Sequence, residues 1–317
     1  MYSLSCTDGL HLGADVYVLD VLRTSAGLAA TASDQTLSLL DPGRLSQGPV
    51  QRLATDHGNV AALRVFDGDA ALVCTAGETG TVALWDLRQG ARVAQFQAVN
   101  TTSPHRHLKQ LTILNRDIRS TPAPKAHYQE VHSDDVTDLA FNPGNAAVLL
   151  SGSTDGLVNV YDTRVADEDD LTLQTCNHGA SVHRAAWLGP TELAALSHDE
   201  RCALYDVAEE RSSGDAARDF GDLRKVLGCQ YVADVTPKVD GSGAIIGAGS
   251  QDNQMFELIF LTRDPNGQGW ALDRANSVGL PGAHGEEIVR SFCFFDEEHV
   301  VFTAGEDGNV KAWRPAS

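Results

Sequence analysis

The chain has 317 residues, of which 42% are hydrophobic and 21% charged, and its formal net charge at pH 7 is −19. A chain of this length buries a sizeable core. Its acidic balance disfavours nucleic acid and anionic membranes as partners, because their phosphates repel it. The same balance favours basic partners, although it can also serve solubility alone.

The first residues and the cysteines indicate a compartment. The start, MYSLSCTDG, has no basic residues and no apolar run, so we expect no signal peptide, and no apolar segment is long enough to span a bilayer. Six scattered cysteines form no Cys-x-x-Cys pair, which predicts buried, reduced thiols rather than a disulfide framework. We therefore expect a protein of the cytoplasm, the nucleus or both.

A two-strand signature recurs along the chain. Each copy has a strand of small residues, a tight turn that usually contains Asp, and an alternating strand, which together predict a β-hairpin. In chain order the copies read TASDQTLSLLD, TAGETGTVALWD, SGSTDGLVNVYD, ALSHDERCALYD, GAGSQDNQMFELIF and TAGEDGNVKAWR. Most copies follow a His and a further apolar strand, as in HGNVAALRVF, HSDDVTDLAF, HGASVHRAAW and HGEEIVRSFCFF.

The spacing and the end of each copy identify the type of repeat. The copies recur about every 44 to 55 residues, which is the length of a four-stranded propeller blade. A Trp-Asp dipeptide ends the second copy at Trp85 and Asp86, and Tyr161 and Tyr205 replace Trp in later copies. This is the WD-repeat pattern. We expect an all-β fold in which one WD-repeat β-propeller domain spans residues 1–317.

The repeats predict a propeller that is seven-bladed in plan with a shortened third blade. We place them at residues 9–46, 52–90, 91–125 (degenerate), 128–165, 171–210, 222–262 and 270–317. In the third repeat Arg116-Asp117 replaces Trp-Asp about 31 residues after Asp86, too few for four strands. About two strands are lost, through either a real deletion or a gene-model artefact. The last repeat supplies three strands, so we expect residues 1–8 to complete it as a fourth and close the ring.

One copy contains the residue types of a catalytic triad. His132, Ser151, Asp155 and Tyr161 recur in the last copy as His284, Thr303, Asp307 and Trp313. An enzyme needs one nucleophile in one cleft, whereas a structural set recurs in every blade, and a triad needs geometry as well as residue types. We therefore predict hydrogen-bonded structural sets, as in WD-repeat proteins, and no catalytic residue.

Other copies carry incomplete sets. The second has His57, Thr75 and Trp85 but Thr79 in the place of Asp. The fifth keeps His178 and Asp199 but has Ala195 in the place of Ser or Thr, and the sixth keeps Asp252 without a matching His. We expect these blades to be held more loosely.

The residues just before each turn Asp are the predicted partner-binding positions. In WD-repeat proteins they surround the mouth of the central channel. Here they are Ser33, Glu78, Thr154, His198, Gln251 and Glu306. Two acids in a polar set suit a basic or flexible protein segment, and the alternative is that these are only solvated turn residues. Arg290, early in a first strand, is either half of a structural ion pair or a ligand clamp.

Several stretches resemble the WD repeat-containing protein 89 family: HSDDVT, SGSTDGLVNVYD, SHDE, VRSFCF and AGEDGNVKAW. The resemblance implies a seven-bladed propeller without an assigned catalytic activity. We therefore expect a non-enzymatic scaffold for protein–protein interaction. It should need no cofactor or metal and should bind neither nucleic acid nor membrane. We expect a monomer that can belong to a larger complex.

Two alternative functions remain open. The WDLR stretch, with Asp86 and Arg88, resembles the Trp-Asp-x-Arg signature of substrate receptors of cullin-type ubiquitin ligases. A propeller enzyme would need a metal, and the pair His105 and His107 supplies two possible ligands without carboxylate support.

Overall fold

The computed structural model describes residues 2–66, 70–97, 113–115, 126–128, 131–208, 213–264, 269–295 and 297–315. Regular structure in these ranges is almost entirely β-strand. Two compact units divide the chain. Unit 1 comprises Met1–Asn100, Gly247–Leu258 and Asn276–Ser317, and unit 2 comprises Thr101–Ile246 and Ile259–Ala275.

Unit 1 contains two four-stranded antiparallel sheets that follow the chain order. Sheet I consists of β2 (Val18–Thr24), β3 (Gly27–Ala32), β4 (Thr36–Leu40) and β5 (Gln51–Ala54). Sheet II consists of β6 (Val60–Val65), β7 (Leu72–Gly77), β8 (Thr81–Asp86) and β9 (Ala91–Gln97). A short 3-10 turn, Leu45–Gln47, lies between β4 and β5.

Unit 2 contains two sheets of the same kind and a short strand pair. The pair is β10 (Ile113–Asn115) and β11 (Ala126–Tyr128). Sheet III consists of β12 (Val136–Asn142), β13 (Asn145–Ser153), β14 (Leu157–Asp162) and β15 (Thr172–Asn177). Sheet IV consists of β16 (Val182–Trp187), β17 (Glu192–Ser197), β18 (Arg201–Asp206) and β19 (Arg218–Asp222), after which comes a short helix, α1 (Leu223–Leu227).

The remaining strands form an eight-stranded sheet in the order β20-β21-β22-β23-β1-β26-β25-β24. These strands are β20 (Tyr231–Pro237), β21 (Gly243–Ser250), β22 (Met255–Arg263), β23 (Trp270–Pro281), β1 (Tyr2–His11), β24 (Val289–Phe295), β25 (Val300–Gly305) and β26 (Asn309–Pro315). We call β24, β25, β26 and β1 the terminal sheet. The first strand of the chain is thus the fourth strand of this sheet: it pairs antiparallel with β26 from Leu4↔Pro315 to His11↔Asn309. It also meets β23 in a short parallel pairing at Tyr2↔Val278.

The described strands confirm an all-β fold, whereas the count of seven blades stays a prediction. Of the predicted third repeat, residues 91–97 form β9 of sheet II, and Ile113–Asn115 is its other described segment. Arg116 and Asp117 lie outside the described residues. Each of sheets I to IV also extends past its predicted repeat, since its fourth strand begins after the predicted repeat has ended.

The small residues of each second strand allow the sheets to pack closely. Except in β7, each second strand has at least five buried residues in a row, as in β3 (GLAATA). In unit 1, a Cβ added to Gly247 would lie 2.3 Å from Cε1 of Phe292. In unit 2, a Cβ on Gly152 would lie 2.8 Å from Cγ1 of Val182. Larger side chains would force neighbouring strands apart, which explains the run of Ala, Gly, Ser and Thr.

Five first strands contain a bulge directly after their opening Val. The register shifts between Val18 and Asp20 in β2, and equivalent shifts occur in β6, β12, β16 and β24. A bulge bends the strand and redirects the side chains that follow it.

Among the described residues, no helix is long and apolar enough to cross a bilayer.

Candidate functional site

Sheet III brings its His, Ser, Asp and Tyr into one buried hydrogen-bonded set. His132 Nδ1 lies 2.9 Å from Asp155 Oδ2, and His132 Nε2 lies 2.6 Å from Ser151 Oγ. Ser151 Oγ is also 2.9 Å from the hydroxyl of Tyr161. The Ser151 hydroxyl is fully buried and bonded on both sides, so it is not placed to attack a substrate.

The terminal sheet contains the same set with Thr and Trp. His284 Nδ1 lies 2.5 Å from Asp307 Oδ1, and His284 Nε2 lies 2.8 Å from Thr303 Oγ1. Trp313 Nε1 donates to Thr303 Oγ1 at 2.9 Å. The ionised Asp307 carboxylate can only accept, so the neutral His284 ring carries its proton on Nδ1 and donates it to Asp307. His284 Nε2 then accepts from the Thr303 hydroxyl, whose oxygen accepts from Trp313 Nε1.

The acid–base properties of these sets agree with that arrangement. Burial opposes ionisation of Asp155, but donors from Leu157 N–H, His132 and Ser133 N–H outweigh it, and the pKa of the carboxyl is lowered. Burial likewise opposes ionisation of Asp307, and the His284 and Asn309 donors outweigh it, so the pKa of Asp307 is lowered well below its usual range. Burial lowers the pKa of His284 despite that carboxylate, which favours a neutral ring beside an ionised acid.

Sheet II contains the His, Thr and Trp members of the set but no carboxylate. His57 Nε2 lies 2.7 Å from Thr75 Oγ1, to which Trp85 Nε1 donates at 2.7 Å. His57 Nδ1 is buried and has no hydrogen-bond partner. Thr79, in the place of Asp, bonds to Thr81 Oγ1 at 3.0 Å instead. The missing carboxylate therefore leaves a ring nitrogen without a partner in the interior.

Sheet IV retains His and Asp but does not join them. His178 Nδ1 lies 3.1 Å from the hydroxyl of Tyr205, and its buried Nε2 has no partner. Asp199 instead accepts a hydrogen bond from the hydroxyl of Ser197. Ala195 provides no hydroxyl that could link the ring to Tyr205. The presence of His and Asp in the sequence is thus not sufficient for the full set.

The residues before the turn Asp occupy equivalent places in five sheets. In each, the backbone N–H donates to the carbonyl of the residue that precedes the first strand. The pairs are Ser33 with Tyr17 (2.9 Å), Glu78 with Asn59 (3.0 Å), Thr154 with Asp135 (2.9 Å), His198 with Ser181 (2.9 Å) and Glu306 with Ile288 (3.0 Å). The repeated bond fixes the backbone at these positions, while the neighbouring Asp turns toward the interior in the complete sets.

The side chains at these positions are partly or fully exposed and differ in chemistry. In unit 1, Glu78 Oε2 accepts from Asn59 Nδ2 at 3.0 Å, and Ser33 Oγ accepts from Tyr17 N at 2.9 Å. Gln251 Nε2 donates to the carbonyl of Glu286 at 2.6 Å.

In unit 2, the exposed His198 ring lies beside that of His183, with centroids 5.1 Å apart. His198 Nδ1 is 3.2 Å from Ser181 Oγ. Thr154 Oγ1 donates to the carbonyl of Asp135 at 3.3 Å.

Arg290 forms an ion pair with Glu306, its neighbour across the start of the terminal sheet. The Arg290 side chain remains 48% exposed, whereas that of Glu306 is 16% exposed. Of the two predicted roles, the structure contains the ion pair.

Three charged residues of unit 2 form ion pairs that were not predicted from the sequence. Arg184, on β16, lies between two carboxylates: its Nη1 is 3.0 Å from Asp138 Oδ2 and its Nε is 2.8 Å from Asp234 Oδ1. The acids lie on β12 and β20, so the triad connects three neighbouring first strands. Each Asp is the third residue of a Val-x-Asp sequence, and that repeated position is the signal that could have identified them.

The Asp and Arg of WDLR bond to each other. Arg88 Nε donates to Asp86 Oδ1 and Arg88 Nη2 to Asp86 Oδ2, both at 3.0 Å. The same clamp joins Arg164 to Asp162 and Arg224 to Asp222. The last of these lies at the N-terminus of α1, outside any Trp-Asp position. The Asp-x-Arg clamp is therefore a recurring local turn contact.

Metal-binding residues do not cluster in the described part of the chain. Within it, no three or more His, Cys, Asp or Glu side chains form a group that could hold a metal ion. His105 and His107 lie outside the described residues.

Comparisons with known proteins identify the family. The family model for the nucleolar protein 10-like, N-terminal domain matches residues 19–222, and the WD domain, G-beta repeat model matches residues 277–314. An uncharacterized WD repeat-containing protein of Saccharomyces cerevisiae is 30% identical over 99% of this chain and 82% of its own length. The WD repeat-containing protein 89 homolog of Dictyostelium discoideum is 24% identical over 94% of this chain and 82% of its own.

A more distant relative is named for ribosome biogenesis. The ribosome biogenesis protein YTM1 of Meyerozyma guilliermondii is 21% identical over 54% of this chain and 44% of its own length. Together with the sheets and turns described above, the family matches confirm the predicted resemblance. The chain belongs to the WD-repeat β-propeller proteins of the nucleolar protein 10-like, N-terminal domain family.

Proposed function

We propose that the protein is a non-enzymatic scaffold that binds a basic or flexible segment of a partner protein through the residues before the turn Asp. One observation carries this proposal. In the complete sets the Asp side chain is used inside the protein, while the residue before it is held by a backbone bond and has a partly exposed side chain. Positions fixed in this way suit recognition, because little conformational freedom is lost on binding.

The charges of unit 1 support a basic partner. Glu78 and Glu306 occupy equivalent places on sheet II and the terminal sheet, and sheet I lies between these two sheets with Ser33. The chain as a whole carries a net charge of −19, which would steer a basic segment toward it. In unit 2, Thr154 and His198 would add polar contacts of their own.

The compartment and the assembly state belong to the same proposal. All six cysteines are free, and burial raises the pKa of Cys176 and of Cys202 to about 12. Unreactive buried thiols suit the cytoplasm or the nucleus. We propose a single copy that works within a larger complex, a role compatible with that of the relative in ribosome biogenesis.

Affinity purification with quantitative mass spectrometry tests the proposal. The Glu78→Gln/Glu306→Gln variant should lose basic partners that the wild-type chain captures. A matched control, Glu297→Gln/Glu298→Gln, removes two exposed charges from the β24–β25 loop of the same unit and should retain them. Identical partner lists for all three proteins would refute the assignment of the binding positions.

No specific observation favours the two alternatives. In the ligase hypothesis Arg88 contacts an adaptor, yet its guanidinium is bonded to Asp86 in a clamp that recurs elsewhere in the chain. Loss of a cullin adaptor from Arg88→Ala pull-downs would restore that hypothesis. The hypothesis of a propeller enzyme depends on a metal site, and the described residues offer no support for one.

A further inference from the structure

Two histidine rings lie against each other at the surface of unit 2. His183 is on β16, His198 directly follows β17, and both residues are exposed. Their ring centroids are 5.1 Å apart, and the ring planes are tilted by 48°. Imidazole nitrogens are common ligands of divalent transition metals. Two rings this close therefore form a candidate pair of metal ligands.

The backbone of sheet IV fixes the positions of both residues. The register between β16 and β17 shifts between Val182 and Arg184, so His183 is the extra residue of the bulge. His198 N donates to the Ser181 carbonyl at 2.9 Å, which holds its backbone to the start of β16. Because a bulge re-aims a side chain, paired strands and a bonded turn place the two rings side by side.

The separation of the rings matches that of two imidazoles on one ion. A metal–nitrogen bond of about 2.0–2.1 Å and a tetrahedral angle put the centres of two coordinated rings roughly 5 Å apart. The separation of His183 and His198, 5.1 Å, agrees with this value. The strands thus hold the rings at the distance that a single shared ion requires.

Ser181 orients the His198 ring. His198 Nδ1 lies 3.2 Å from Ser181 Oγ and 3.3 Å from the Ser181 carbonyl oxygen. When Nδ1–H donates to such an oxygen, the lone pair that can bind a metal is on Nε2. Support of this kind from a second group is usual for histidines that ligate metals.

The charges around His183 favour a cation. Arg184, the next residue, lies between the carboxylates of Asp138 and Asp234. All three charges act on the His183 ring. Two carboxylates and one guanidinium leave an excess of one negative charge beside the ring, which attracts a divalent ion.

We propose that His183 and His198 together bind one divalent transition-metal ion, such as Zn²⁺ or Cu²⁺, with water in the remaining coordination positions. Two protein ligands are fewer than the three of catalytic zinc sites. The pair is therefore a binding position and gives no support to a propeller enzyme. The inference does not depend on the proposed function, in which His198 supplies only a polar contact.

Pulsed EPR with Cu²⁺ counts the imidazole ligands directly. The intact chain carries His105→Ala/His107→Ala, which removes the His-x-His pair, and receives less than one equivalent of Cu²⁺. The spectrum should show two coordinated imidazoles. His183→Gln or His198→Gln, added to this background, should reduce the number to one. A single imidazole before these substitutions, or two after either of them, would overturn the inference.

Calorimetric titration of the same proteins with Zn²⁺ measures the contribution of each residue. Either Gln substitution should weaken the strongest site roughly 100-fold, because two ligands on one rigid sheet act as a chelate. Ser181→Ala should weaken it about tenfold through the orientation of His198. The matched control His299→Asn removes an exposed histidine of unit 1 and should leave the affinity unchanged. Unchanged affinity in both Gln variants would show that the rings only pack against each other.

Discussion

Sheets III and IV of unit 2 show how one hydroxyl decides whether a hydrogen-bonded set forms. Both sheets follow a loop with His, contain Asp in the second turn and carry Tyr on the third strand. In sheet III, Ser151 joins His132 to Tyr161, and the ring then bonds to Asp155. In sheet IV, Ala195 replaces the hydroxyl, His178 meets Tyr205 directly, and Asp199 bonds to Ser197 instead.

The difference shows that the set acts as a unit. The hydroxyl fixes one nitrogen of the ring and thereby directs the other toward the carboxylate. Unit 1 shows the reverse defect, since His57 has its hydroxyl partner Thr75 but meets no acid. Buried polar networks stabilise a structure when every member is bonded and cost stability when one is not. The complete sheets should therefore depend on their sets far more than the incomplete ones do.

The largest effect is expected at the centre of the complete set. Ser151→Ala removes the shared hydroxyl and leaves both His132 Nε2 and the Tyr161 hydroxyl without their partner. We expect a loss of about 2–3 kcal/mol in the free energy of unfolding, measured by urea denaturation. Thr154→Ala, three residues away and partly exposed, is the control and should change it by less than about 0.5 kcal/mol. Equal effects of the two substitutions would contradict the role of the set.

Acid should destabilise the protein through its buried histidines. Burial lowers the pKa of His57, His178 and His284 from the ordinary value of 6.5. As the pH falls below about 6.5, the unfolded chain takes up protons that the folded rings resist, so stability decreases. The lowered pKa of Asp155 and of Asp307 extends this loss below about pH 4. Urea midpoints should be level near about pH 8 and fall from about pH 7 to about pH 5, and a constant or rising midpoint over that range would contradict neutral buried rings.

A carboxylate at position 79 should complete the hydrogen-bonded set of sheet II. Thr79→Asp places an acceptor where the complete sets have Asp155 and Asp307, within reach of the unbonded His57 Nδ1. We expect a gain of about 1 kcal/mol in the free energy of unfolding and a raised pKa of His57, visible by NMR titration. Thr79→Asn, which adds an acceptor without the charge, should raise stability less and leave the pKa low. Destabilisation by Thr79→Asp would show that the turn cannot direct an acid inward.

The smallest effect should come from repair of sheet IV. Ala195→Ser restores a hydroxyl between His178 and Tyr205 and should stabilise the protein by up to about 1 kcal/mol. Ala194→Ser is the matched control, because it adds a hydroxyl to a buried residue on the other face of the same strand. That control should be destabilising, since its hydroxyl has no waiting partner. If both substitutions destabilise to the same degree, Ala195 does not occupy the place of the missing hydroxyl.

Much of the fold follows from the sequence, because its signals are local. The small-residue strand, the turn and the aromatic strand identify the inner hairpin of each sheet in residues such as Ser151 to Tyr161. The fourth strands were harder to find. Strands such as Gln51–Ala54 and Ala91–Gln97 form the exposed side of their sheets, and they carry neither the apolar run nor the aromatic-Asp ending. The predicted repeats of sheets I to IV therefore ended before their last strands.

The candidate site was predictable to a similar extent. The residues before the turn Asp share a sequence position, so their common backbone geometry was accessible without coordinates. The contacts of Arg184 with Asp138 and Asp234 were not, because they join strands far apart in the chain. The absence of a hydrogen bond between His178 and Asp199 depends on side-chain geometry that residue types alone do not encode.

Glu306 and Asp307 are adjacent in the sequence. Together they test most directly whether partner binding and structural stability depend on different residues. The measurement is partner capture by Glu306→Gln and by Asp307→Asn, each normalised to the amount of folded protein. We predict that Glu306→Gln loses basic partners while its urea midpoint falls less than that of Asp307→Asn, because it removes only the ion pair with Arg290. Asp307→Asn should lower the midpoint and capture the same partners per folded molecule. The reverse pattern, with Asp307→Asn losing partners and Glu306→Gln retaining them, would contradict the account.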